Sequence, residues 1–147
     1  MQNTQQTIEW QVTSLKGQNR PSLEDYRGKH TLLLFFNLGC HGCMMRGLPF
    51  ADDIARAYPD LNVIGIHSNF RGSPYSVEQI QDEIEKRKLS FPVMMDDEHV
   101  TYDLFEAGGT PHWILLDEAG RVQKSIFGSQ PNAQQRLTYG MMELFGT

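Results

Sequence analysis

Thr31-Leu32-Leu33-Leu34-Phe35-Phe36 is a continuous, largely apolar run bounded by Gly28-Lys29-His30 on one side and Asn37-Leu38-Gly39 on the other. It is too short for a helix and reads as a strand buried on both faces. Residues 40–58 carry Leu48, Ile54, Ala55 and Tyr58 at helical spacing, so Cys40 stands where a buried strand gives way to a helix. Pro49 falls inside that helix, removes one backbone donor and predicts a kink. The alternation then repeats. A strand over 61–67 precedes a helix over 76–88, started by Ser76 with Glu78 and Gln79 in its first turn, and a short strand over 91–95. This order predicts parallel pairing with helical crossovers.

A short helix over 98–105 leads into Gly108-Gly109-Thr110-Pro111. Strands over 112–116 and 121–127 are joined by Asp117-Glu118-Ala119-Gly120, a hairpin signal. Pro131 opens a last helix with Leu137, Met141, Leu144 and Phe145 as its apolar stripe. Strand-like pieces around residues 8–12, followed by Gly17, Asn19 and Pro21, predict an N-terminal hairpin over about the first thirty residues. With no repeat, low-complexity tract or dividing linker, the 147 residues read as a single α/β domain.

Composition narrows the function classes. At 39% hydrophobic and 21% charged residues the balance is that of a soluble globular protein, long enough to bury a core without metal or disulfide staples. A net charge of -5 argues against phosphate neutralisation, so nucleic acid is not an expected partner. No apolar run is long enough to span a bilayer. Residues 1–9 lack the basic opening and apolar core of a secretory signal, which places the chain in the cytoplasm as it stands. A chain whose export signal had been removed would begin in the same way and belong outside the cytoplasm.

The candidate chemistry lies in two cysteines, three apart in Cys40-His41-Gly42-Cys43. At a helix start this spacing lets the first sulfur face solvent while the second lies one turn inward, close enough to form a small disulfide ring. Exposed backbone donors and the helix dipole favour a thiolate at Cys40, making it the candidate nucleophile and Cys43 the resolving thiol. Three other readings stand beside this one. Two structural cysteines are poorly placed at a strand-to-helix junction. A zinc site lacks a second ligand pair, so no metal is expected. Haem attachment requires His after the second Cys, where Met44 stands.

Together with the opening segment Ser22-Leu23-Glu24-Asp25-Tyr26-Arg27-Gly28-Lys29, Gly109-Thr110-Pro111, and Leu115-Leu116-Asp117-Glu118-Ala119-Gly120-Arg121-Val122, the dithiol resembles the thioredoxin-like superfamily. The likeness is to its TlpA- and ResA-like branch, related to the AhpC/TSA proteins. It implies a central mixed sheet with helices on both faces and an extra strand and helix between the Cys pair and the Thr-Pro pair. It further implies thiol–disulfide exchange without a cofactor, with disulfide- or dithiol-bearing proteins as partners and a thiol reductant as electron donor. In the resembled family the Pro of the Thr-Pro pair follows a cis bond beside the sulfurs, and its neighbour's backbone pairs with substrate, which assigns those roles to Pro111 and Thr110. From the residues alone, a trans Pro opening a strand is the commoner case.

The chain departs from that pattern in three places. Gly39 stands where Trp often precedes the first Cys, Leu34 where a buried Asp is frequent, and Arg46 where the branch often has Glu. His67 and His112 are the remaining candidates to accept the Cys43 proton. His30 and His99 receive no role. His41, between the cysteines, is a candidate for tuning the thiolate, against a solvated His in an unconstrained position. A peroxidase is the first alternative function, weakened by Asn37 where a Thr and Leu33 where a Pro are expected. A non-catalytic binding or metal-binding module is the second.

Overall fold

The computed structural model describes residues 9–15, 19–70, 74–96 and 98–146. Its six strands are β1 (Val12–Ser14), β2 (Thr31–Phe36), β3 (Asn62–His67), β4 (Val93–Asp96), β5 (His112–Leu116) and β6 (Val122–Phe127), in one sheet ordered β1-β4-β3-β2-β5-β6. β2, β3 and β4 run parallel, while β1, β5 and β6 add antiparallel pairs at the two edges. The helices are α1 (Leu48–Ala57), α2 (Val77–Arg87), α3 (Val100–Leu104) and α4 (Pro131–Phe145). Between the Cys pair and Pro111 lie β3, α2, β4 and α3.

β2 is central and wholly buried, and its alternating side chains divide the core. Leu32, Leu34 and Phe36 join Cys43, Leu48, Ile80 and Leu137 on one face. Leu33 and Phe35 join Trp10, Leu23, Ile114 and Phe105 on the other. Ser76 and Gln79 form the reciprocal capping box that starts α2, and Gly146 ends α4 in a left-handed conformation.

One expectation is corrected and a second takes a particular form. The first concerns the N-terminal hairpin. Among the described residues of the first thirty, the one strand is β1, and it pairs with β4 rather than with a neighbour in sequence. The chain does turn back, with Ser14 N–H donating to Asn19 C=O at 2.6 Å. Its returning arm, however, winds into a 3-10 helix, Leu23–Tyr26, because Ser22 and Asp25 cap it reciprocally. Ile8 and Gly17 lie outside the described residues. The second concerns Pro49. The chain is helical from residue 41 to 57, with a π-helical turn, Cys43–Gly47, directly before Pro49. A proline ring collides with the carbonyl four residues back, here that of Met45, and the wider turn accommodates it.

Candidate active site

The buried end of β2 delivers the chain to a tight turn at Asn37-Leu38-Gly39. Cys40 N–H donates to Asn37 C=O at 2.9 Å, and Met44 N–H donates to Cys40 C=O at 3.1 Å, which starts the helix. Cys40 is half-buried and Cys43 fully buried, both as free thiols. The Cys40 sulfur accepts a hydrogen bond from Cys43 N–H at 3.2 Å and donates to the carbonyl of Thr110 at 3.4 Å. Burial pushes the Cys43 thiol well above its ordinary range, and the neighbouring Cys40 sulfur adds to this. The backbone of Asn37 and the hydroxyl of Thr110 act in the opposite direction, favouring the thiolate. The helix start thus presents one sulfur with a backbone donor near solvent and keeps the second in reserve beneath it.

The Thr110–Pro111 bond is cis. Pro111 packs against the helix at its two glycines: a Cβ on Gly42 would meet Pro111 Cδ at 3.8 Å, and one on Gly47 would meet Pro111 Cβ at 3.5 Å. Gly42 is also confined by Ser129, whose Oγ lies 2.8 Å from where a Cβ would stand. Gly109 has a positive φ of 140°, with the Phe127 ring 2.7 Å from the place of a Cβ, so a larger residue fits there neither by conformation nor by space.

Gly39, where the resembled family often has Trp, is exposed but has another aromatic at its side. The Tyr75 hydroxyl lies 2.8 Å from the position of a Gly39 Cβ, and Asn69 holds the Tyr75 backbone with two hydrogen bonds of 2.9 and 3.1 Å. His41 is exposed.

The two candidate proton acceptors separate. His112 pairs with Phe35 in register and so shares its face, opposite Cys43. Its ring nitrogens contact Gly108 N–H at 3.2 Å and the Ser125 hydroxyl at 2.7 Å. His67 pairs with Phe36 and lies on the Cys43 face, where its Nε2 accepts the Leu38 N–H at 3.1 Å. Burial lowers its pKa to about 4, and its Nδ1 has no hydrogen-bond partner. With Nε2 engaged, His67 holds the turn before Cys40. No hydrogen bond joins either histidine to Cys43.

Sequence reasoning passed over Asn37, Ser129 and Tyr75. Asn37 closes an apolar strand and was readable as a breaker, but its partners lie far along the chain. Among the described residues no group of three or more His, Cys, Asp and Glu side chains could hold a metal ion. No helix among them is long and apolar enough to cross a membrane.

A mixed sheet of this order, with a Cys-x-x-Cys helix start facing a cis-Pro loop, defines a thioredoxin-like dithiol protein. Residues 4–125 match the AhpC/TSA family model, and the chain belongs to that family. It is 30% identical over 118 residues to the thiol-disulfide oxidoreductase ResA of Geobacillus kaustophilus, covering 80% of this chain and 65% of the relative. It is 28% identical over 130 residues to the thioredoxin-like protein YneN of Bacillus subtilis, covering 88% of this chain and 74% of the relative. This chain therefore spans about two thirds to three quarters of those relatives. Among solved structures, a thiol-disulfide isomerase from Corynebacterium glutamicum superposes with a TM-score of 0.79 at 28% identity, covering 94% of this chain and 96% of that one.

Proposed function

We propose that this chain is a thiol–disulfide oxidoreductase that exchanges a disulfide with protein partners through Cys40 and Cys43. The observation that carries the reading is the asymmetry of the pair. Cys40 is reachable and receives the Cys43 amide at 3.2 Å, whereas Cys43 is buried with its thiol held protonated. Cys40 thiolate attacks a partner disulfide, forming a mixed disulfide and expelling one partner sulfur as thiolate. Cys43 then gives its proton to that departing thiolate and attacks the Cys40 sulfur. The second partner sulfur leaves, and a Cys40–Cys43 disulfide remains. A thiol reductant restores the dithiol by the reverse exchange.

Thr110 and Pro111 form the wall against which the partner segment lies, Thr110 offering backbone groups to an extended chain. Asn37, placed where a peroxidase Thr is expected, commits its side chain to Gly39 and Ser68 rather than to Cys40. In a cytoplasm poised at roughly -220 to -320 mV the dithiol is kept reduced and reduces its partners. Behind an export signal the same pair meets an oxidising compartment, and the direction follows its own potential.

Two measurements test this reading. Alkylation of the reduced protein with limiting iodoacetamide, mapped by mass spectrometry, labels Cys40 first. Cys43→Ser, expressed in cells, accumulates partners as mixed disulfides through Cys40. Preferential labelling of Cys43, or no trapped partner, removes these roles.

A further inference from the structure

Gly39, directly before Cys40, is exposed and carries no side chain. The side chain beside it comes from the segment between β3 and α2: the Tyr75 hydroxyl lies 2.8 Å, and its Cζ 3.7 Å, from where a Gly39 Cβ would stand. Tyr75 is anchored there in two ways. Asn69 Oδ1 accepts the Tyr75 N–H at 2.9 Å and Asn69 Nδ2 donates to the Tyr75 C=O at 3.1 Å, while Asn69 N–H is itself tied to Glu98 C=O at 3.1 Å. The Tyr75 ring also meets the buried His67 ring edge-on, with centroids 5.9 Å apart and planes at 82°, and His67 accepts the Leu38 N–H of the same turn. A ring fixed in advance loses little freedom on making one further contact.

The Cys40 sulfur is met by Cys43 N–H from within the helix start and by the Thr110 C=O from the cis-Pro loop. A polypeptide joined to that sulfur therefore passes Thr110 on one side and the exposed Gly39 on the other. Gly39 has no side chain to receive it. Tyr75 has, and with Leu38 and Met44 it is half-buried and packs on the cysteine face together with Cys40. These three side chains offer apolar surface, and a half-exposed aromatic ring is a common anchor at protein contacts. We propose that Tyr75 is a specificity-determining residue, whose ring receives an apolar side chain flanking the disulfide cysteine of the polypeptide that Cys40 attacks. The inference rests on Cys40 as the attacking sulfur. It leaves the exchange chemistry as stated and adds which segments are attacked fastest.

The first attack is isolated in the full chain carrying Cys43→Ser, which forms the mixed disulfide and cannot resolve it. The probes are disulfide-linked dimers of a short capped peptide with phenylalanine on both sides of its cysteine, and of the same peptide with glycine there. Release of peptide thiol, followed by rapid quench and chromatography, gives a second-order rate constant for each, and their ratio is the selectivity. In this background Tyr75→Ala slows the phenylalanine peptide about fivefold more than the glycine peptide. Tyr75→Phe keeps the ring and keeps the ratio. Gly39→Ala drives its methyl against the Tyr75 hydroxyl and lowers the ratio as Tyr75→Ala does, and adding Tyr75→Phe restores it, because the next ring atom stands 3.7 Å away. The milder contact of that methyl with Asn37 Oδ1, at 3.2 Å, falls on both peptides alike and cancels in the ratio. Equal slowing of both peptides by Tyr75→Ala, or an unchanged ratio, overturns the proposal and leaves Tyr75 a structural residue. If Tyr75→Ala does not fold, Gly39→Ala with and without Tyr75→Phe decides by the same outcomes. Absence of Cys40-dependent thiol release from either peptide overturns the underlying exchange reading instead.

Discussion

The end of β2 is flanked by a histidine on each face of the sheet, and the two are in opposite condition. His112, across from Phe35, has both ring nitrogens engaged, and on the same face Asp96 accepts from one hydroxyl and two backbone amides. His67, across from Phe36 on the cysteine face, has Nε2 occupied by Leu38 N–H and its Nδ1 buried without a partner. Because Nε2 accepts, the proton of the neutral ring sits on Nδ1, a tautomer assigned by its bonding. Cys43 on this face is likewise buried against its own ionisation. One face satisfies its polar groups and the other leaves capacity unmet where the thiols lie. Departures from full satisfaction of this kind concentrate at working sites.

The largest expected effect breaks the cysteine face outright. Cys40→Ser reduces insulin disulfides no faster than the uncatalysed background. Cys43→Ser also fails to turn over, yet consumes one equivalent of a disulfide probe and stops as a mixed disulfide. Activity surviving in Cys40→Ser would place the reacting group elsewhere.

The second prediction sharpens the contrast between the histidines through pH. In the unfolded chain His67 takes up a proton near 6.5, whereas burial in the fold lowers its pKa to about 4. Between these values the unfolded state binds more protons, so folding stability is fully present above pH 6.5 and is lost as pH falls toward 4. The full contribution is about 3 kcal/mol. His67→Phe lowers stability by a nearly constant amount and removes this slope. Burial raises the Asp96 pKa, which acts in the opposite sense, and subtracting the variant's urea-unfolding curve from the wild type's cancels it. A difference that does not change between pH 7 and pH 4 would show that the fold does not depress the His67 pKa.

On the other face the expected loss is smaller and falls on stability. His112→Ala removes the bonds to Gly108 N–H and the Ser125 hydroxyl, two exposed residues that water can serve instead, at a cost of about 1 kcal/mol. The exchange rate changes less than about threefold, because Gly128 N–H still holds Pro111 C=O at 2.8 Å and His112 faces away from Cys43. Calorimetry and insulin reduction on one preparation check both halves. A large loss of rate with intact stability would move His112 into the reaction.

How far the site was legible follows from where each interaction is made. The buried β2, the Ser76–Gln79 cap, the dithiol at a helix start and the β5–β6 hairpin depend on near neighbours and were readable. The N-terminal hairpin misled because β1 finds its partner in β4, with Val12 opposite Asp96. Local turn residues carry no information about that pairing. Asn37 with Ser68 and Gly39 with Tyr75 are likewise joined across more than thirty residues. Pro49 signalled a local disturbance, which takes the form of a wider helical turn ahead of it.

A third histidine refines the comparison at its weakest point. His41 lies between the cysteines, exposed on the surface rather than enclosed on either face. Its imidazolium, when protonated, favours a neighbouring Cys40 thiolate and hence the reduced protein, making the disulfide a stronger oxidant. Water and salt screen an exposed pair, so His41→Ala lowers the reduction potential by only ~20 mV at neutral pH. Equilibration of both proteins in glutathione buffers, with the oxidised fraction read by alkylation shift, resolves a change of this size. The gap narrows as salt is added. An unchanged or higher potential in the variant would show that His41 is a solvated residue, leaving the dithiol tuned by burial, the Asn37 backbone and Thr110 alone.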